Sequence, residues 1–262
     1  MREGEYFAAG TADSVERERL AALESAFDSK STQQLRTLGV TTGWKCLEVG
    51  AGGGSITRWL AEEIGDDGHV VAADMDTRFL RDIQRPNVEV RKCNILDNAF
   101  EDGQFDLVHC RFLLIHLSDP RLAIERMLRA ARVGGWVMVE EFDFSSLRAV
   151  QSEAPASAFF TSRIGATFRN VGQARLFDPY LGARIRELLE NAGLSEVHCE
   201  GTVLPRQGGD AEALLHRRSL PTLCEGGACS RADSQEMQKI LLDPDFRFIG
   251  ATVFAAWGRR AG

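Results

Sequence analysis

Short apolar runs and amphipathic stretches alternate along the first half of the chain. KCLEV, from Lys45 to Val49, is apolar at Cys46, Leu47 and Val49, the pattern of a short strand buried in a parallel sheet. ITRWLAEEIG carries its apolar residues at helical spacing and is stopped by Gly65 and Gly68. HVVAADMD then reads as a second, buried strand, and NVEVRKCNIL, after the turn at Pro86, as a further strand. FDLVHC is a fourth, running through RFLLIHLSDP into a helix, RLAIERMLRAARV. Gly134 and Gly135 turn the chain into a fifth strand, WVMVEEFDF. Strand and helix in this order predict an α/β fold with a doubly wound sheet.

Residues 1–40 form a helical lead-in ahead of this block. SVERERLAALESAF repeats apolar residues near helical spacing at Val15, Leu20, Leu23 and Phe27, with Thr11 or Ser14 as its cap. A second helix, STQQLRTLGV, is expected to start at Ser31 or Thr32 and to end near Gly39. Beyond Ser145 the alternation loosens. Residues 151–182 read as a helical cap with an aromatic inner face: Phe159, Phe160, Phe168, Phe177 and Tyr180 stand among small residues. DPYLGARIRELLENAGL is a further helix, SEVHCEGTVLP a strand, residues 209–242 two more helices, and ATVFAAWGRR the closing strand. The expected organisation is a lead-in over 1–40 and one domain over 41–262, with cap segments at about 151–182 and 209–242.

Charge narrows the partners. A formal net charge of -7 over 262 residues argues against a nucleic-acid backbone or an anionic membrane, and favours small neutral or cationic substrates. No apolar run nears the roughly 18 residues of a bilayer span, and MREGEYFAAG lacks a signal-peptide core, so a cytoplasmic protein is expected. A homodimer is left open. The six cysteines are scattered mostly through apolar runs and read as reduced thiols. Cys224 and Cys229 bracket EGGA, but no second Cys/His pair stands at ligand spacing, so no metal site is expected.

The candidate chemistry lies after the first strand. Gly50, Gly52, Gly53 and Gly54 let the backbone turn tightly beside a ligand, and Ser55 opens a helix with free N–H groups. A dinucleotide fingerprint would place a third glycine where Ser55 stands, and a phosphate-binding loop would need a lysine that is absent here. What remains is E-x-G-x-G-x-G beginning at Glu48, and in this the chain resembles the class I S-adenosylmethionine-dependent methyltransferases, of the type found in bacterial specialised metabolism.

The resemblance implies a seven-stranded, mostly parallel Rossmann-like sheet of order 3-2-1-4-5-7-6 and S-adenosyl-L-methionine as cofactor, leaving as S-adenosyl-L-homocysteine. It implies that Glu48, Gly50, Ala51 and Gly52 cradle the methionine part, and that the lead-in closes over the pocket as a lid, bringing Tyr6 toward the methyl group and Arg19 toward the cofactor carboxylate. Asp74, about 24 residues beyond Gly50, is placed to accept the ribose hydroxyls, and Met75 to pack on the adenine. Asn94 stands where the family usually carries an Asp that accepts from the adenine amino group, and Ile95 would cover the ring. The position just after the fourth strand nominates Cys110 and Arg111 for the methionine end.

For the acceptor, His116, Tyr6 and Glu141 are the candidate bases. Glu140, Glu141 and Asp143 end the fifth strand at the crevice, where carboxylates orient an amine, and Phe142, Phe144, Phe159 and Phe160 are the expected substrate contacts. A planar aromatic or indole-like specialised metabolite fits those features, with carbon, nitrogen and oxygen all open as the methylated atom. The rivals are an NAD-dependent oxidoreductase on a related fold and a non-catalytic cofactor-binding module. The missing third glycine and the lack of a Tyr-x-x-x-Lys pair count against the first, and the aromatic cap against the second.

Overall fold

A computed structural model of the chain describes residues 12–97, 100–150 and 154–262. In chain order its elements are α1 (Asp13–Thr37), β1 (Lys45–Val49), α2 (Ser55–Ile64), β2 (His69–Asp74), β3 (Val88–Lys92), β4 (Phe105–Arg111), α3 (Pro120–Ala130), β5 (Ala131–Asp143), β6 (Arg148–Ala149), α4 (Pro155–Gln173), α5 (Ile185–Asn191), β7 (Leu194–Thr202), β8 (Pro205–Gln207), α6 (Ala211–Glu225), α7 (Arg231–Ile240), β9 (Arg247–Ile249) and β10 (Thr252–Arg260).

Seven strands make one sheet of order β3-β2-β1-β4-β5-β10-β7. The first five run parallel, and β10 pairs antiparallel with both β5 and β7. Because β7 and β10 are the sixth and seventh strands of this sheet in sequence, the order is the expected one. The pleat sorts side chains between two cores. Cys46, Val70, Leu107 and Met138 face α2, which presents Ile56, Leu60 and Ile64. Leu47, Val49, Val108 and Cys110 share the other core with Ile124 and Met127 of α3. Each such Ile or Leu, fully buried, contributes roughly 1.5–3 kcal/mol.

Three expectations need correction. The lead-in is one helix, α1, and does not break at Ser31. Ser31 is fully buried, and its hydroxyl donates to Glu140 at 2.8 Å with the Phe27 carbonyl 3.3 Å away, so it serves the middle of a helix and caps nothing. The cap is also different: Ala12 precedes α1, Ser14 lies inside it, and Thr11 lies outside the described residues. Finally, the helix expected over 178–194 is only α5 with a 3-10 turn before it, at Gly182–Arg184. Gly182 lies so close to β5 that a Cβ there would stand 2.7 Å from the Phe142 carbonyl oxygen.

A second, three-stranded sheet, β6-β9-β8, has no counterpart in the periodicity, since its strands are two or three residues long. It carries Phe248, fully buried between Phe160 of α4 and Phe246. α4, α6 and α7 pack together beyond it, and α6 lies along α1, so the lead-in and the later helices enclose the carboxyl ends of the central strands. No helix among the described residues is long and apolar enough to cross a membrane.

Candidate functional site

One continuous cavity of about 450 Å³ opens at the carboxyl ends of β1, β2, β4 and β5. Its first lobe is the glycine turn. Gly50, Gly52 and Gly54 have φ of 76°, 54° and 81°, the left-handed region that side chains other than glycine rarely adopt. A Cβ on Gly50 would stand 3.1 Å from Leu113, and one on Gly53 would run into the Glu24 carboxylate. The Gly52 N–H donates to Asp74 Oδ2 at 2.8 Å, and the Asp76 N–H to Asp74 Oδ1 at 2.8 Å, so the acid at the end of β2 also sets the shape of the turn. Burial pushes the Asp74 carboxyl up, against the two amides. Asp76 pairs with Arg78, which holds its carboxyl below the usual range. Met75, 54% exposed, and Ile95 line the same lobe.

Glu48 and Ala51 also line it. Burial raises Glu48 to about 7, although the Thr57 hydroxyl bonds it and His109 stands nearby. Arg111 lies at the far side, bonded to Asp28 at 2.8 Å and to the Ser31 hydroxyl at 2.9 Å. Ser31 passes this network on to Glu140, which His109 meets at 3.0 Å. Glu24 was not singled out by the sequence, yet it sits over the turn with its Oε1 buried and unpartnered among the described residues. Burial and the nearby Asp28 raise its carboxyl.

Of the remaining sequence-based cofactor assignments, one falls elsewhere and two line the cavity with their polar groups already engaged. Cys110 is fully buried in the α3-side core, because alternation along β4 sends it to the face opposite Arg111. Arg19 lines the cavity but forms a bidentate pair with Glu16, at 2.7 and 2.9 Å, one turn away on α1, and is not held open for a cofactor carboxylate. Asn94 also lines the cavity, but its Oδ1 accepts from the Leu96 N–H at 3.0 Å and is committed to its own turn. Tyr6 lies outside the described residues.

Glu141 is fully buried and takes no part in the cavity wall. It accepts the Leu114 N–H at 2.5 Å and so anchors the turn that follows β4, where Phe112 has φ of 55°. Burial lifts its carboxyl to about 8 against those backbone amides. Glu140 belongs to the Ser31 and His109 network, and Asp143 caps the turn at Ser145, so none of the three carboxylates is placed to select an amine. His116 does line the cavity, edge-on to Phe177 at 5.3 Å, but burial pushes it down to about 3, which makes it a weak base.

The second lobe is aromatic. Phe142 stacks on Phe112 at 3.8 Å and Phe144 on Phe168 at 3.9 Å, with Phe177 beside them. Phe160 is not in the wall: it packs on Phe246 at 5.0 Å over the small sheet. Phe159 lies off the inward stripe of α4, under the Arg163 guanidinium, and is also outside the cavity. The inward positions are Ile164 and Phe168, one and two turns on from Phe160. α6 closes the lobe with Leu215, His216, Ser219, Leu220 and Leu223. The spacing of these residues is helical, and Glu212 stands four before His216, a signal legible in the sequence but overlooked there. Among the described residues no cluster of three or more His, Cys, Asp or Glu side chains can hold a metal ion.

Comparison with known proteins agrees with this architecture. A family model described as a methyltransferase domain matches residues 47–139, from β1 to β5. The chain is 30% identical over 198 residues to Methyltransferase str2 of Strobilurus tenacellus, covering 74% of this chain and 69% of that protein. It is 31% identical over 129 residues to the ubiquinone/menaquinone biosynthesis C-methyltransferase of Vibrio parahaemolyticus, covering 46% of this chain and 50% of that one. Among solved structures, a Haemonchus contortus phosphoethanolamine N-methyltransferase in complex with phosphomonomethylethanolamine and S-adenosylhomocysteine shares the fold, with a TM-score of 0.63 at 15% identity, over 100% of this chain and 61% of that one.

Proposed function

This chain belongs to the S-adenosylmethionine-dependent methyltransferases, and we propose that it methylates a small planar aromatic acceptor seated in its phenylalanine-lined lobe. The observation that carries the acceptor class is the continuity of the cavity: a glycine turn and a ribose-type acid at one end run without a break into the Phe144–Phe168 wall. Stacked rings favour a flat apolar acceptor, and the turning away of Glu140, Glu141 and Asp143 removes the reason to require an amine.

The cofactor fits the first lobe. The left-handed glycines keep the turn free of side chains, so its backbone lines the cavity directly, and Glu24 offers a buried carboxylate oxygen with no hydrogen-bond partner among the described residues, suited to an ammonium group. In this reading Asp74 accepts from the ribose, Met75 and Ile95 flank the adenine, and Glu48, Gly50, Ala51 and Gly52 shape the methionine end. The bound sulfonium supplies an already activated methyl group. The chain therefore has to align and to exclude water, and a well-held near-attack geometry is worth roughly 7–11 kcal/mol. Residues 1–40 act as the lid, of which 12–40 are described, and 41–262 as the transferase domain.

Calorimetry with S-adenosylhomocysteine and with NAD tests the first lobe; only the former is expected to bind. A competition assay with mixed acceptors, read by mass, tests the second. Aromatic acceptors are expected to take the methyl group ahead of fatty or sugar acids, and preferential methylation of those acids would reject the aromatic reading.

A further inference from the structure

The acceptor lobe holds a histidine that the alignment of cofactor and acceptor does not require. His216 is 5% exposed, lies on α6 and lines the cavity. Its ring stands edge-on to Phe144 at 6.1 Å and to Phe248 at 6.4 Å, which fixes it among the aromatic side chains. Nε2 faces Glu212 Oε1 at 3.4 Å, one helical turn back. Nδ1 has no hydrogen bond with any described residue.

Glu212 is held as firmly as its histidine. It is 1% exposed, accepts the Arg206 Nε–H at 2.6 Å and the Ala251 N–H at 2.8 Å, and packs where Gly250 has no side chain. Burial by itself raises this carboxyl, but His216, Arg206 and the amide outweigh it and keep it below its ordinary value. An ionised carboxylate behind one ring nitrogen, on a ring that lines the acceptor cavity and whose second nitrogen has no bond to a described residue, makes a base with its orienting group.

We infer that His216 is the general base for a hydroxyl acceptor, a phenol or enol, with Glu212 as its positioning residue. The inference rests on the aromatic-acceptor reading above. The acceptor O–H bond breaks as its proton passes to Nδ1. The oxygen electron pair forms the bond to the methyl carbon, while the carbon–sulfur pair leaves with S-adenosylhomocysteine. The resulting imidazolium is stabilised by Glu212. Among the described residues, the other charged or titratable groups around the lobe include Arg206 behind Glu212, the Glu16–Arg19 pair of α1, the Arg218–Glu18 pair between α6 and α1, Arg111 over Phe112, and His116. A neutral amine or a nucleophilic ring carbon would not need its proton removed before attack, and a carboxylic acid is already ionised at neutral pH.

The test uses wild-type protein, His216→Gln and His216→Phe, the latter keeping a ring against Phe144 and Phe248, with thermal melts to verify folding. Calorimetry with S-adenosylhomocysteine comes first: no binding by wild type rejects the methyltransferase site itself, while equal binding by all three clears the way for the base. With S-adenosylhomocysteine bound, 4-nitrophenol is then titrated and its phenolate absorbance followed against pH. Wild type is expected to ionise the bound phenol at lower pH than water does, and both variants to lose that shift. In turnover on phenols of graded acidity, kcat is expected to fall about 100- to 10,000-fold for weakly acidic phenols and far less for 4-nitrophenol. Glu212→Gln is expected to move the acid limb of the pH profile. Failure of any phenol to bind, equal rates in the variants, or methyl transfer confined to carbon, nitrogen or carboxylate acceptors overturns the inference.

Discussion

Asp74 carries two duties in one carboxylate, and that makes it the most informative residue in the first lobe. It accepts the Gly52 and Asp76 amides, both at 2.8 Å, while lining the cavity where a ribose would lie. Asp74→Ala is expected to weaken S-adenosylhomocysteine binding by about 1.5–3 kcal/mol, the range for a hydrogen bond to a charged group. Asp74→Asn, whose amide oxygen still accepts one backbone N–H, separates the ligand contact from the support of the turn. Calorimetry reads both, and unchanged affinity in the alanine variant would remove Asp74 from the site. Gly52 is constrained differently: with φ of 54°, a valine there is strained whatever the space around it. Gly52→Val is expected to abolish binding while the far-UV circular dichroism stays native, and normal binding by that variant would show that the turn is not the cofactor site.

At the scale of elements, what was legible in the sequence follows period and punctuation. β1, β2, β4, β5 and α2 announce themselves because each buries a regular pattern, while β3, the exposed edge strand, is legible from its β-branched residues after the Pro86 turn. The acceptor wall was legible only in part. Phe142 and Phe144 stand in it because β5 ends at the crevice, while Phe159 and Phe160 were misplaced because an aromatic stripe says which face of α4 is buried and not what lies beneath each turn. Glu141 was misread for a related reason. Alternation fixes the face of the sheet it points to, but the turn whose amide it accepts is irregular and has no sequence period. The continuity of α1 through Ser31 depends on Glu140, 109 residues away, which no local reading of a serine can include. His216 was overlooked because α6 reaches the site from the far end of the chain, although its i, i+4 spacing from Glu212 was visible.

For the whole molecule, the buried ionisable groups set how stability depends on pH. Glu48 and Glu141 are raised by burial from 4.5 to about 7 and about 8, so the folded chain holds protons that the unfolded chain releases. Their contribution is complete below the unfolded value and is lost as pH rises through the folded ones. His116 acts in the opposite sense. Burial lowers it from 6.5 to about 3, so its contribution is present above 6.5 and is lost as pH falls toward 3. Above pH 6.5 the histidine term is constant while Glu48 and Glu141 still release protons, so Tm of the wild-type protein is expected to fall between about pH 6.5 and 8. Each group contributes at most about 1.4 kcal/mol per pH unit to that slope. Glu141→Gln isolates one of them, since its amide oxygen still accepts the Leu114 N–H while it carries no titrating proton. The variant should lose a visibly smaller part of its Tm over the same interval, measured by thermal melts in buffers of equal ionic strength. Parallel curves for wild type and variant would mean that Glu141 is already ionised in the folded chain, held by the amides of the turn after β4 more strongly than burial opposes them.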